Sequence, residues 1–128
     1  MIDLSTLGCI VKENEPMAAH TTLGVGGPAD LFVELETEDQ LSHLMKLIAS
    51  EKQRGEAIPW MIFGDGANLL VSDKGIRGIV IKLVGQFERI VVDGTTITAG
   101  SAAPISKVAD ISAKHDLSGL EGVGTVPG

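Results

Sequence analysis

Tyrosine is missing from this sequence, tryptophan occurs once and phenylalanine three times. So few rings offer no stacking platform for bases, and no two Lys or Arg residues are adjacent. With a net charge of −7, the chain argues against nucleic acid as a partner. Any phosphate it binds must be held by backbone amides and helix ends, not by a field of positive charge. Cys9 is the one cysteine, so no internal disulfide can form and a reducing compartment is the simplest reading. No stretch approaches the roughly 20 apolar residues of a membrane span. The opening Met1-Ile2-Asp3-Leu4 has no basic leader region, and Leu7-Gly8-Cys9 has no apolar segment before it to make a lipoprotein site. A cytoplasmic protein with no membrane partner is expected.

Glycine is what the sequence has in excess, with 16 among 128 residues. These glycines gather at particular turns and do not form low-complexity tracts, and bare backbone at a turn lets a ligand come close. Hydrophobic residues at 44% and charged residues at 21% are ordinary for a globular chain long enough to bury a core.

Reading along the chain, residues 1–27 are expected to be mostly irregular, broken by Pro16 and by Gly24-Val25-Gly26-Gly27. Asp30 to Leu35 reads as a strand. A helix follows, with Thr37 as N-cap and Gln40 completing a capping box. Leu41, Leu44, Met45 and Ile48 then form one apolar stripe, and Gly55 ends the helix. Trp60 to Phe63 reads as a short buried strand, with Leu69 to Val71 and Ile79 to Leu83 as further strands. Ile90 to Val92 and Thr95 to Ala99 flank Asp93-Gly94, a strong hairpin signal. Pro104 fits the first turn of a second helix to about His115, with Ile105, Val108, Ala109 and Ser112 on one face. The residues from Leu117 to Gly128 read as loop. The pattern is mixed α/β or α+β, and it is not doubly wound, because helices and strands do not alternate in the second half.

The segment richest in chemistry is Gly64-Asp65-Gly66-Ala67-Asn68-Leu69, where a strand empties into a glycine turn. Two glycines allow positive φ, so successive N–H groups can converge on an anion as a nest. Asn68 tolerates the left-handed region and can fix the loop or donate from its amide. An ordinary tight turn is the alternative. Leu69 stands where a dinucleotide fingerprint needs its third glycine, and no Gly-Lys-Ser/Thr follows, so both common phosphate motifs are excluded. His20, His43 and His115 lack metal-ligand spacing. Arg77 and Lys74 are expected to be solvated.

Two more segments bear on that choice: His20-Thr21-Thr22-Leu23-Gly24-Val25-Gly26-Gly27-Pro28-Ala29, and Gly119-Leu120-Glu121-Gly122-Val123-Gly124-Thr125-Val126-Pro127-Gly128. With the glycine turn, they resemble the MurB family, the UDP-N-acetylenolpyruvoylglucosamine reductases. That family's pattern runs T-T-x-x-x-G-G-P-A, then G-x-G-S-N-x-L-V, then G-L-E-x-x-x-x-I-P-G. The resemblance covers nearly the whole chain from Glu13 onward. It implies the FAD-binding fold of the vanillyl-alcohol oxidase (PCMH) type, with FAD as cofactor and NADPH as hydride donor. It also implies an enolpyruvyl UDP-sugar as substrate, in peptidoglycan synthesis.

By the same resemblance, Gly64 to Leu69 would carry the FAD pyrophosphate, while Gly100, Ser101, Gly122, Thr125, Pro127 and Gly128 would line the rest of the cofactor. Ala67 departs from the family's Ser and removes one hydroxyl donor; Val126 replaces Ile with little change of volume. The chain is expected to be the N-terminal portion of the FAD domain, without the catalytic residues or the substrate domain, and to self-associate through apolar surface left bare. The competing readings are an oxidase of the same fold and a non-enzymatic α+β domain whose glycine loops are only turns.

Overall fold

The computed structural model describes residues 2–123. Its centre is a four-stranded sheet in the order β1 (Ile10–Pro16), β2 (Pro28–Leu35), β4 (Ile76–Leu83), β3 (Trp60–Phe63). β1 runs antiparallel to β2, from Ile10 opposite Glu34 to Pro16 opposite Pro28. β2 and β3 both run parallel to β4, with Phe32 opposite Val80 and Ile62 opposite Ile81. Two helices, α1 (Glu38–Gln53) and α2 (Ile105–Lys114), and a separate hairpin of β5 (Ile90–Asp93) with β6 (Thr96–Ala99) complete the described part.

The inner strands β2 and β4 bury apolar side chains on both faces, as strands covered from both sides do. On one face Val33, Leu35, Ile79, Ile81 and Leu83 pack with Leu44 and Ile48 of α1, with Leu4 and Leu7, and with Phe87. Phe32 and Val80 point the other way, into a smaller core with Met17, Ala29, Phe63 and Val71. α1 follows its expected signals closely. The Thr37 hydroxyl accepts from the Gln40 N–H at 3.2 Å, and the Gln40 side-chain oxygen accepts from the Thr37 N–H at 3.2 Å. Leu44 has no exposure, and full burial of a leucine stabilises by about 1.5–3 kcal/mol. Gly55 follows the C-cap Arg54 with φ +91°.

Four local expectations are corrected. Residues 1–27 are not mostly irregular, because β1 lies within them. Its Ile-Val-Lys-Glu-Asn-Glu-Pro has no buried residue, so no hydrophobic period announced it; its order comes from the ladder to β2. β3 is an edge strand with Trp60 48% and Ile62 51% exposed, not a buried one. Leu69 to Val71 forms no strand. Parallel neighbours such as β3 and β4 need a connection of about a dozen residues to return the chain, and residues 64–75 are that connection. Pro104 is the N-cap of α2, in extended conformation, not its first helical residue.

Candidate functional site

The glycine turn stands at the end of β3, where the crossover to β4 begins. Residues 61–64 and 66–69 line an open pocket of about 200 Å³ there. This is smaller than the roughly 300–1,000 Å³ of a typical small-molecule site, so it can take only part of a dinucleotide. Gly66 is buried while Gly64 and Asn68 of the lining are exposed, and Asp65 is exposed outside it.

Gly66 has φ +70°, the left-handed member that a nest needs among right-handed neighbours. Among the described residues, no backbone N–H from Gly64 to Leu69 donates a hydrogen bond. Asp65 adds a negative charge, so attraction for a phosphate has to come from the amides. Asn68 makes no hydrogen bond among the described residues. Within the described residues its amide therefore does not fix the loop.

What fixes the loop is the segment before β2. The Thr22 N–H donates to the Gly66 carbonyl at 3.2 Å, and a Cβ placed on Gly66 would meet the His20 carbonyl at 2.3 Å. Thr21 is buried and its hydroxyl donates to the Val25 carbonyl at 2.8 Å, closing the Thr-Thr turn. Further along, the Gly27 N–H donates to the Ser72 carbonyl at 2.9 Å, and the Met17 N–H donates to the Gly27 carbonyl at 3.1 Å. Two of the three sequence motifs are thus one packed unit across the smaller core.

His20 and Arg77 make long-range contacts around these motifs that no local pattern announces. The His20 ring stacks on Phe32 with centroids 4.3 Å apart, and its Nε2 lies 2.8 Å from Glu15 Oε1. The hydrogen bond from His20, and then Lys12 at 3.1 Å, hold the Glu15 carboxyl below the usual carboxylate range. Nothing local in the sequence foretold this; only the place of His20 at the head of the Thr-Thr motif drew notice to it. Arg77 pairs with Asp30 at 2.6 Å and donates to the carbonyls of Pro28 and Lys74, each at 3.1 Å. It ties the start of β4 to β2 while its side chain, 62% exposed, stays solvated as expected.

The remaining site residues lie elsewhere or outside the description. Gly100 packs on the Phe87 backbone and donates to the Arg89 carbonyl at 2.8 Å, and neither it nor Ser101 lines the pocket. Gly122 is exposed, with open space around its Cα. Thr125, Pro127 and Gly128 fall outside the described residues. Among the described residues no cluster of His, Cys, Asp or Glu could hold a metal ion, and no helix is long and apolar enough to cross a membrane.

Comparison with known proteins bears on the whole arrangement. The family described as FAD binding domain matches residues 29–125. A UDP-N-acetylenolpyruvoylglucosamine reductase of Anoxybacillus flavithermus is 45% identical over 118 residues, covering 92% of this chain and 37% of the relative. A second protein of that name, numbered 2, from Symbiobacterium thermophilum is 41% identical over the same shares of both chains. The crystal structure of the MurB reductase from Thermus caldophilus matches with a TM-score of 0.69 at 32% identity, over 93% of this chain and 39% of that one. The chain spans 37% of the length of the first two relatives. The α+β fold and the cofactor expected from the motifs are therefore both upheld: the chain belongs to the FAD-binding domain family, on the side of it where the UDP-N-acetylenolpyruvoylglucosamine reductases are its relatives.

Proposed function

We propose that this chain supplies FAD binding to an NADPH-dependent reductase that converts UDP-N-acetylglucosamine enolpyruvate to UDP-N-acetylmuramate in the cytoplasm. The observation that carries the reading is the Gly64–Leu69 loop, whose N–H donors have no partner among the described residues and whose shape is held by the Thr-Thr segment. The amides of Gly64, Asp65, Gly66, Ala67, Asn68 and Leu69 would hold the FAD pyrophosphate, and Asn68 adds a side-chain amide donor. Gly100, Ser101, Gly122, Thr125, Pro127 and Gly128 would meet other parts of the cofactor. FAD, when bound, supplies the two-electron chemistry, and the protein's share is to bind and orient it. The lone cysteine agrees with a reducing cytoplasm.

Self-association of the isolated chain belongs to the same reading. Trp60, Ile62 and Leu70, at 48%, 51% and 73% exposure, leave apolar surface beside the loop. Light scattering across a concentration series should show growing mass; a monomer throughout would overturn this part.

The test of function is a visible spectrum of the protein purified from its natural reading frame, before and after NADPH. A flavin band that bleaches, and returns on adding the enolpyruvyl UDP-sugar, supports the reductase. Bleaching reversed only by oxygen would point to an oxidase. A protein that takes up no FAD would leave the glycine loops as turns.

A further inference from the structure

The geometry points to His20 as a positioning residue that sets the Gly64–Leu69 loop for phosphate binding through the backbone of residues 20–22, without touching the cofactor. The inference rests on the FAD reading above for the identity of the ligand, but not for the coupling itself.

The His20 ring is located by three strands at once. Phe32 of β2 stacks on it at 4.3 Å with planes 24° apart, and Phe63 of β3 meets it edge-on at 6.4 Å and 84°. Glu15 of β1 takes its Nε2 at 2.8 Å, and Lys12 braces the same carboxylate oxygen at 3.1 Å. Only 13% of the side chain is exposed. With the ring so placed, little freedom remains to the peptide that bears it. That peptide is the surface on which Gly66 rests: its carbonyl lies 2.3 Å from where a Gly66 Cβ would be, the Thr21 Cα is 3.0 Å from the same point, and the Thr22 N–H holds the Gly66 carbonyl. Phe63 closes the circuit, because it contacts the ring, lies 2.8 Å from that Cβ point and lines the pocket. The ring thus reaches the loop through Phe63, and the His20 carbonyl reaches it directly at Gly66.

The full chain without FAD can be followed by amide NMR, and its FAD affinity by quenching of flavin fluorescence. His20→Ala should move the resonances of Thr22 and of residues 64–69, and weaken FAD binding about threefold to tenfold, the equivalent of about one hydrogen bond. His20→Phe keeps the stack, His20→Gln keeps a partner for Glu15, and at least one should restore both readouts. Unmoved loop resonances, unchanged affinity or failure of both rescues would overturn the proposal. If His20→Ala does not fold, the Phe and Gln variants carry the comparison by the same readouts. Wild-type chain that ignores FAD would defeat the cofactor reading of this chain, while the loop resonances would still decide the role of His20.

Discussion

The carbonyl of His20 lies 2.3 Å from the point where a side chain on Gly66 would begin, so the head of the Thr-Thr motif leaves room for nothing larger than glycine at the centre of the turn. Gly66 also has φ +70°, which L side chains rarely adopt. The Thr22 N–H donates to the Gly66 carbonyl at 3.2 Å, while the amides of residues 64–69 have no partner among the described residues. The shape and packing of the loop thus depend on contacts between two distant parts of the chain.

Gly66→Ala should therefore destabilise the fold by about 2–4 kcal/mol, because it combines left-handed strain with a clash against backbone that cannot turn aside. Gly94→Ala makes a control. Gly94 has φ +57° at the hairpin turn but open space around its Cα, so strain alone applies, about 1–2 kcal/mol. Urea denaturation midpoints at constant slope would separate the two, and equal losses would refute the role given to the clash.

On the opposite face, Leu44→Ala should cost about 2–5 kcal/mol, since the side chain has no exposure and the surrounding strands cannot collapse onto the cavity. Thr37→Ala should cost about 1 kcal/mol through the lost cap on α1. Thermal unfolding of both variants should preserve this order.

Ala67→Ser restores the hydroxyl of the resembled family pattern and should strengthen FAD binding by about 0.5–1.5 kcal/mol. Asn68→Leu should weaken it by about 1–3 kcal/mol, because the exposed amide is available to the phosphates and serves no hydrogen bond within the described fold. Fluorescence titration measures both; no change in either variant would remove this loop from the cofactor site.

Glu15 has its carboxyl lowered first by the His20 hydrogen bond and then by Lys12. A group depressed in the folded state contributes stability that is fully present above its unfolded value and lost as pH falls through the folded one. Acidification below the ordinary glutamate range should therefore weaken the fold through this residue. Glu15→Gln should flatten that part of the stability profile in denaturation curves taken at successive pH values; an unaltered acid limb would show that the pair contributes nothing.

How much of this was legible varies with the reach of the forces involved. By itself the sequence determined α1, because its cap, its stripe and its terminating glycine all act within a few residues. It determined the hairpin too, apart from a step of one residue: Asp93 ends β5 opposite Thr96, and Gly94-Thr95 form the turn. The order of the three glycine motifs was equally readable, and with it the cofactor family. Only the tertiary structure decided that β1 is a strand, because its exposed residues owe their conformation to pairing with β2. The parallel arrangement of β3 and β4 likewise decided that residues 69–71 belong to a crossover. The tertiary structure also made His20 the link between motifs, since stacking on Phe32 and packing beneath Gly66 are long-range contacts that no local pattern encodes.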